Sequence, residues 1–103
     1  MPHMLSCVEY DDVDGTSDVF TAKCVPGTQY YIKANVDCFV RVTVTGTDAV
    51  ADTAGNVRCT AGVFTPICNT VDTGATTTNG FIKYISDGTS GDIELYQEVP
   101  GTI

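Results

Sequence analysis

Between residues 37 and 45, Cys38, Val40, Val42 and Val44 are apolar, while Arg41, Thr43 and Thr45 fall between them. Side chains along a strand point to opposite faces in turn, so this period of two describes a strand with one buried face and one face in contact with solvent. A helix of the same length would need its apolar residues every three or four positions. A half-buried strand must cover its apolar row with a second layer, which directs the whole chain towards packed sheets.

The remaining sequence fits that requirement. Residues 28–33, with Tyr30, Tyr31 and Ile32, form a strand expected to pair with 37–45 through a turn around Ala34 and Asn35. Residues 80–85 and 92–96 flank the Gly- and Ser-containing stretch 86–91 and read as a hairpin. Shorter strands are expected at 5–9, 19–24, 57–60 and 63–68. The stretches 45–55 and 69–80 are polar and Gly-punctuated, and read as loops. A helix over 48–52 would be too short to stand alone. The expectation is an all-β domain, a compact antiparallel β-sandwich or barrel of about eight short strands. It divides into an N-terminal arm and acidic turn (1–18), a β domain (19–97) and a C-terminal tail (98–103).

A chain of 103 residues builds one modest core, since folding at this size removes only about 60–70% of the unfolded surface. It carries 13 acidic against 5 basic residues, a formal net charge of -8. That charge repels phosphate backbones and anionic headgroups, so neither nucleic acid nor membrane is an expected partner. No stretch approaches the roughly 20 apolar residues of a membrane span, and the first residues have no signal-peptide pattern. The cysteines at 7, 24, 38, 59 and 68 are odd in number and lack a Cys-x-x-Cys pair, which favours free thiols in a reducing cytoplasm.

Chemistry-bearing motifs are scarce. The acidic run 11–18 fails the EF-hand register, because with Gly15 at the sixth loop position the closing acid would fall on Thr21. A solvated acidic turn is expected, with an irregular cation site on Asp12, Asp14 and Asp18 as the alternative. His3 is the single histidine and lies near a terminus, which gives no base for a nucleophile relay and no zinc set. The Asp87 to Gly91 loop lacks the Gly-Lys-Ser/Thr ending of a phosphate cradle. Sugar-stacking surfaces are usually aromatic, and the chain has no Trp; Tyr30 and Tyr31 remain as candidates, one ring expected in the core and one outside. No catalytic residue and no cofactor is assigned, and an enzyme is not expected.

The run from Tyr30 to Val42, followed by a threonine- and alanine-rich loop and then by Phe81 to Ser86 before a closing hairpin, resembles small virion proteins of tailed bacteriophages, chiefly capsid decoration or cement proteins. The resemblance spans about residues 28–97 and lies in strand order and flavour. It implies a domain on the capsid exterior, assembled in the host cytoplasm, commonly a homotrimer, bound to the major capsid protein at capsomer seams. Residues 1–18 would act as an arm on that protein, with Leu5, Val8, Tyr10, Tyr30 and Tyr31 as partner-binding residues. A tail or neck accessory role and a glycan-binding module are the alternatives. The five cysteines and the acidic 11–18 segment depart from the pattern of better-known cement proteins.

Overall fold

Every element in the described part of the chain, residues 3–25, 27–45, 49, 57–67 and 79–100 of a computed structural model, is a strand. In order they are β1 (His3–Val13), β2 (Asp18–Val19), β3 (Tyr30–Ala34), β4 (Cys38–Thr43), β5 (Val57–Cys59), β6 (Thr65–Ile67), β7 (Phe81–Ser86) and β8 (Gly91–Pro100). They form two four-stranded sheets, sheet A in the order β1-β8-β3-β6 and sheet B in the order β2-β7-β4-β5. All neighbours are antiparallel. The all-β class is therefore shown, as a sandwich. Its strand order is that of a jelly roll, in which the chain passes repeatedly from one sheet to the other. The weak helix candidate 48–52, apart from Ala49, and most of the expected loops 45–55 and 69–80 lie outside the described residues.

The core lies between the sheets. Ile32 of β3 with Ile93 and Leu95 of β8 meets Cys38, Val40 and Val42 of β4 and Ile82 of β7, and each of these is at most 1% exposed. Full burial of an aliphatic side chain stabilises the fold by about 1.5–3 kcal/mol. Alternation placed the inward row of β4 correctly. The opposite side of that strand is also covered, with Phe39 at 6% and Thr43 at 1% exposure, whereas Val44 lies beyond the strand end.

The two expected hairpins are corners instead. β3 belongs to sheet A and its expected partner β4 to sheet B; β7 belongs to sheet B and β8 to sheet A. Periodicity specifies which side chains share a face, and it is silent about which strand lies alongside. The connectors show why the chain changes sheets: their hydrogen bonds run to third segments. Asn35 N–H donates to the Asp92 carbonyl, Asn35 Oδ1 accepts from Asp92 N–H, and Asp37 Oδ1 accepts from Ala61 N–H. Ser86 N–H likewise donates to the Asp14 carbonyl. Gly88, at φ 117, relaxes the second corner. At Gly91 a side chain would collide with Asn35 Oδ1 and with Val36.

The segment expected as an arm is largely an edge strand. Residues 3–13 pair along almost the whole of β8. The register shifts between Cys7 and Glu9, where a bulge inserts one extra residue and reverses the side-chain parity. Before it Leu5 and Cys7 face outward; after it Glu9, Asp11 and Val13 turn towards the other sheet, and Tyr10 and Asp12 face outward.

Candidate docking face

The outward positions of sheet A follow from its register. Cys7, Tyr96, Tyr31 and Pro66 form one row across β1, β8, β3 and β6. Tyr10, Glu94 and Lys33 form the next, Leu5 and Glu98 flank the first, and Asp12 lies opposite Asp92. The alternate residues Ile93, Leu95, Ile32 and Tyr30 are all buried at 3% exposure or less, which confirms the parity.

Three tyrosines on this face are each tied to a carboxylate of β8. The Tyr31 hydroxyl donates to Glu98 Oε2 at 2.9 Å, and the Tyr96 hydroxyl to Glu94 Oε1 at 3.2 Å. Tyr10 lies beside Asp92, whose carboxylate is the first cause of its raised pKa. For Tyr10 and Tyr31 the partner carboxylate is the main reason the phenol titrates above its ordinary range. Burial leads for Tyr96, with Glu94 second. All three phenols therefore stay protonated and oriented. Phe64 meets Tyr96 edge-on, with centroids 5.1 Å apart, and the Lys33 ammonium lies 5.1 Å from the Phe64 centroid. A shallow groove of about 290 Å³, lined by Tyr10, Lys33, Asn35, Gly62, Asp92 and Glu94 among others, opens at one end of the face.

Of the residues expected to bind a partner, Leu5, Val8 and Tyr10 are 40%, 41% and 57% exposed, and Tyr31 joins the outer face. Tyr30 does not. It is 3% exposed, and its hydroxyl accepts from Val25 N–H at 3.1 Å and donates to the Lys23 carbonyl at 3.4 Å. A buried phenol needs such partners, and here they fix the preceding turn. Tyr96, Phe64 and the β8 acids were missed by sequence reasoning. Their signal was the alternation of Ile93 and Leu95 with Glu94 and Tyr96, which marks the latter pair as outward.

The acidic segment is partly structural. Glu9 accepts backbone N–H groups of Thr21 and Ala22, each at 2.8 Å. Burial would raise its pKa, but these two donors prevail and hold it below the ordinary carboxylate range. Burial pushes the neighbouring Asp11 up, and the nearby Glu9 carboxyl adds to this, while the Tyr84 hydroxyl, 2.9 Å away, pulls the other way. The irregular cation site does not assemble: Asp14 accepts from Thr16 N–H, Asp18 from Val19 N–H, and among the described residues no three His, Cys, Asp or Glu side chains converge to hold a metal ion.

The class that fold and surface define is a jelly-roll domain presenting an acidic, tyrosine-rich sheet face. No protein-family model matches this chain, and no curated protein sequence matches it.

Proposed function

We propose that this chain is a non-catalytic structural module that docks on a protein surface through the outer face of sheet A. The surface is the exterior of a tailed-bacteriophage capsid, at seams between copies of the major capsid protein, and the module acts as a trimer. The observation that carries this reading is the set of three tyrosines held against carboxylates on a rigid sheet. Tyrosine supplies contact area with few rotatable bonds, and aromatic anchors dominate the energetics of protein interfaces. The acids favour a neutral or basic patch on the partner. Leu5 and Val8 extend the face along β1, whose outer backbone edge offers itself to an added strand. The jelly roll is shared by viral capsid and lectin domains, which supports the reading without assigning it, since a fold does not fix a function.

A module that binds only the assembled shell stabilises that state by mass action. A contact of ordinary size buries about 1,200–2,000 Å². The experiment is to add purified protein to heads that lack it and to measure occupancy and thermal rupture. Saturable binding at fixed lattice positions and a higher rupture temperature are expected. Heads that neither bind the protein nor change in stability would sink the proposal.

The groove beside Tyr10 favours one second reading, a glycan-binding module, because Asn35, Asp92, Glu94 and Lys33 surround a tyrosine there. Glycan binding that is lost in Tyr10→Ala and insensitive to chelators would support it over capsid docking.

A further inference from the structure

Two cysteines stand directly across a strand pair: Cys38 of β4 is the register partner of Cys59 of β5. Both are free thiols and both are buried, at 0% and 1% exposure. Opposed residues of an antiparallel pair hold their Cα atoms about 4.5–5.5 Å apart, inside the roughly 4.4–6.8 Å that a disulfide spans. Both side chains are buried on the inner side of the same strand pair, so the two thiols are neighbours. We infer that Cys38 and Cys59 form a redox site, a thiol pair that a low-molecular-weight disulfide converts into a cross-strand staple between β4 and β5. This site is independent of the docking face.

The pair is polarised by its surroundings. The neighbouring Cys38 thiol holds the Cys59 pKa below its ordinary value against the effect of burial, and Thr65 acts in the same direction. The Cys59 side chain, followed by burial, pushes Cys38 up. Of the two thiols, Cys59 gives up its proton the more readily and is the attacking group. Its sulfur displaces one thiolate from the oxidant and forms a mixed disulfide, and the departing thiolate takes up a proton. Cys38 then loses its proton and its sulfur attacks the Cys59 sulfur, which expels the second small thiol. In sum, two protein thiols are oxidised to one disulfide while one small disulfide is reduced to two thiols. Burial sets the rate rather than the outcome. β5 is three residues long and ends the strand order of sheet B, so the opening of one short ladder admits the oxidant.

The test uses the full chain, reduced and then incubated with oxidised glutathione at neutral pH. Free thiols are alkylated before and after unfolding, and the digested protein is mapped by mass spectrometry. The expected product is a cross-linked peptide pair carrying Cys38 and Cys59, lighter by two hydrogens than its reduced parts. Closing a loop of this length should also raise the thermal midpoint by on the order of 10 °C. That rise should be absent in Cys38→Ala and in Cys59→Ala. Exposed Cys7 provides an internal control, because it takes up glutathione wherever the oxidant is active. Recovery of Cys38 and Cys59 as free thiols while Cys7 is modified would overturn the inference, as would pairing of either one with a different cysteine. Both results are read from the wild-type chain, so poor folding of an alanine variant does not obscure them.

Discussion

The outer faces of the two sheets are built from similar strands, yet they carry opposite charge. On sheet B the outward positions of β4, β5 and β7 hold Arg41, Arg58 and Lys83, and the Lys23 ammonium lies 4.7 Å from the Phe81 centroid. Four of the chain's five basic residues thus gather there. On sheet A the outward positions hold Asp12, Asp92, Glu94 and Glu98, with Lys33 among them. The aromatic rings divide similarly, apart from Phe64 of the sheet A face, which lies against Lys33. Phe81 and Phe39 of sheet B lie against Lys23 and Arg58, whereas Tyr31 and Tyr96 of sheet A bond acids sideways through their hydroxyls and Tyr10 lies beside Asp92. A ring covered by a cationic side chain has its partner already; a ring tethered at its edge keeps a face to present. The net charge of -8 hides this polarity, and the polarity is what favours sheet A as the proposed docking face.

The largest effect that sharpens this contrast comes from neighbouring residues of one strand. Leu95→Ala, on the inward side of β8, is expected to lower stability by about 2–5 kcal/mol in chemical denaturation. Tyr96→Ala, one residue on and facing outward, should shift the thermal midpoint by only a few degrees while weakening capsid binding by at least tenfold. Equal losses of stability in the two variants would break the distinction between core and docking sides.

Next comes Tyr84→Phe, which removes the hydroxyl donor to Asp11. Burial and the Asp11 carboxylate both push the Tyr84 pKa up, so its contribution to stability is complete below the unfolded value near 10 and is lost as pH rises through the higher folded value. The variant should lose about 1–2 kcal/mol near neutral pH and show a flatter decline in alkali, measured by denaturation midpoints between pH 7 and 11. Binding should not change, because this residue faces the core.

Glu9→Gln should cost about 1 kcal/mol. The lowered Glu9 pKa means that its contribution is present above the unfolded carboxylate value and is lost as pH falls through the folded one. Wild-type stability should therefore fall more steeply in acid than that of the variant, as followed by thermal melts from pH 7 to pH 3. The smallest effect belongs to sheet B: Arg58→Ala removes a cation 5.8 Å from the Phe39 centroid and should cost roughly 0.5–1 kcal/mol, with capsid affinity unchanged.

Much of the fold can be read from alternation. The inward row Cys38, Val40 and Val42 was evident, and so was the presence of about eight strands. The sheet to which each strand belongs was not, because a short polar connector such as residues 35–37 suits a hairpin and a corner equally; the choice rests on hydrogen bonds to Asp92 and Ala61 that lie far away in sequence. Tyr30 and Tyr31 could be recognised as one inner and one outer ring, but their order depends on Ile32 and Ala34 facing the core. The outward set of β1 was hidden by the bulge, since one inserted residue reverses every later position. Leu5, Val8 and Tyr10 were expected on an arm; they are exposed but sit on a paired strand. The carboxylate partners of the tyrosines could be found only once β8 had been placed between β1 and β3.

Hydroxyl-radical footprinting of the protein, free and mixed with capsids, tests the proposed docking face most directly. Tyr10, Tyr31, Tyr96 and Phe64 should be protected in the bound state, with Phe81 reacting equally in both. Protection of Phe81 alone, with the four sheet A rings unchanged, would contradict the assignment.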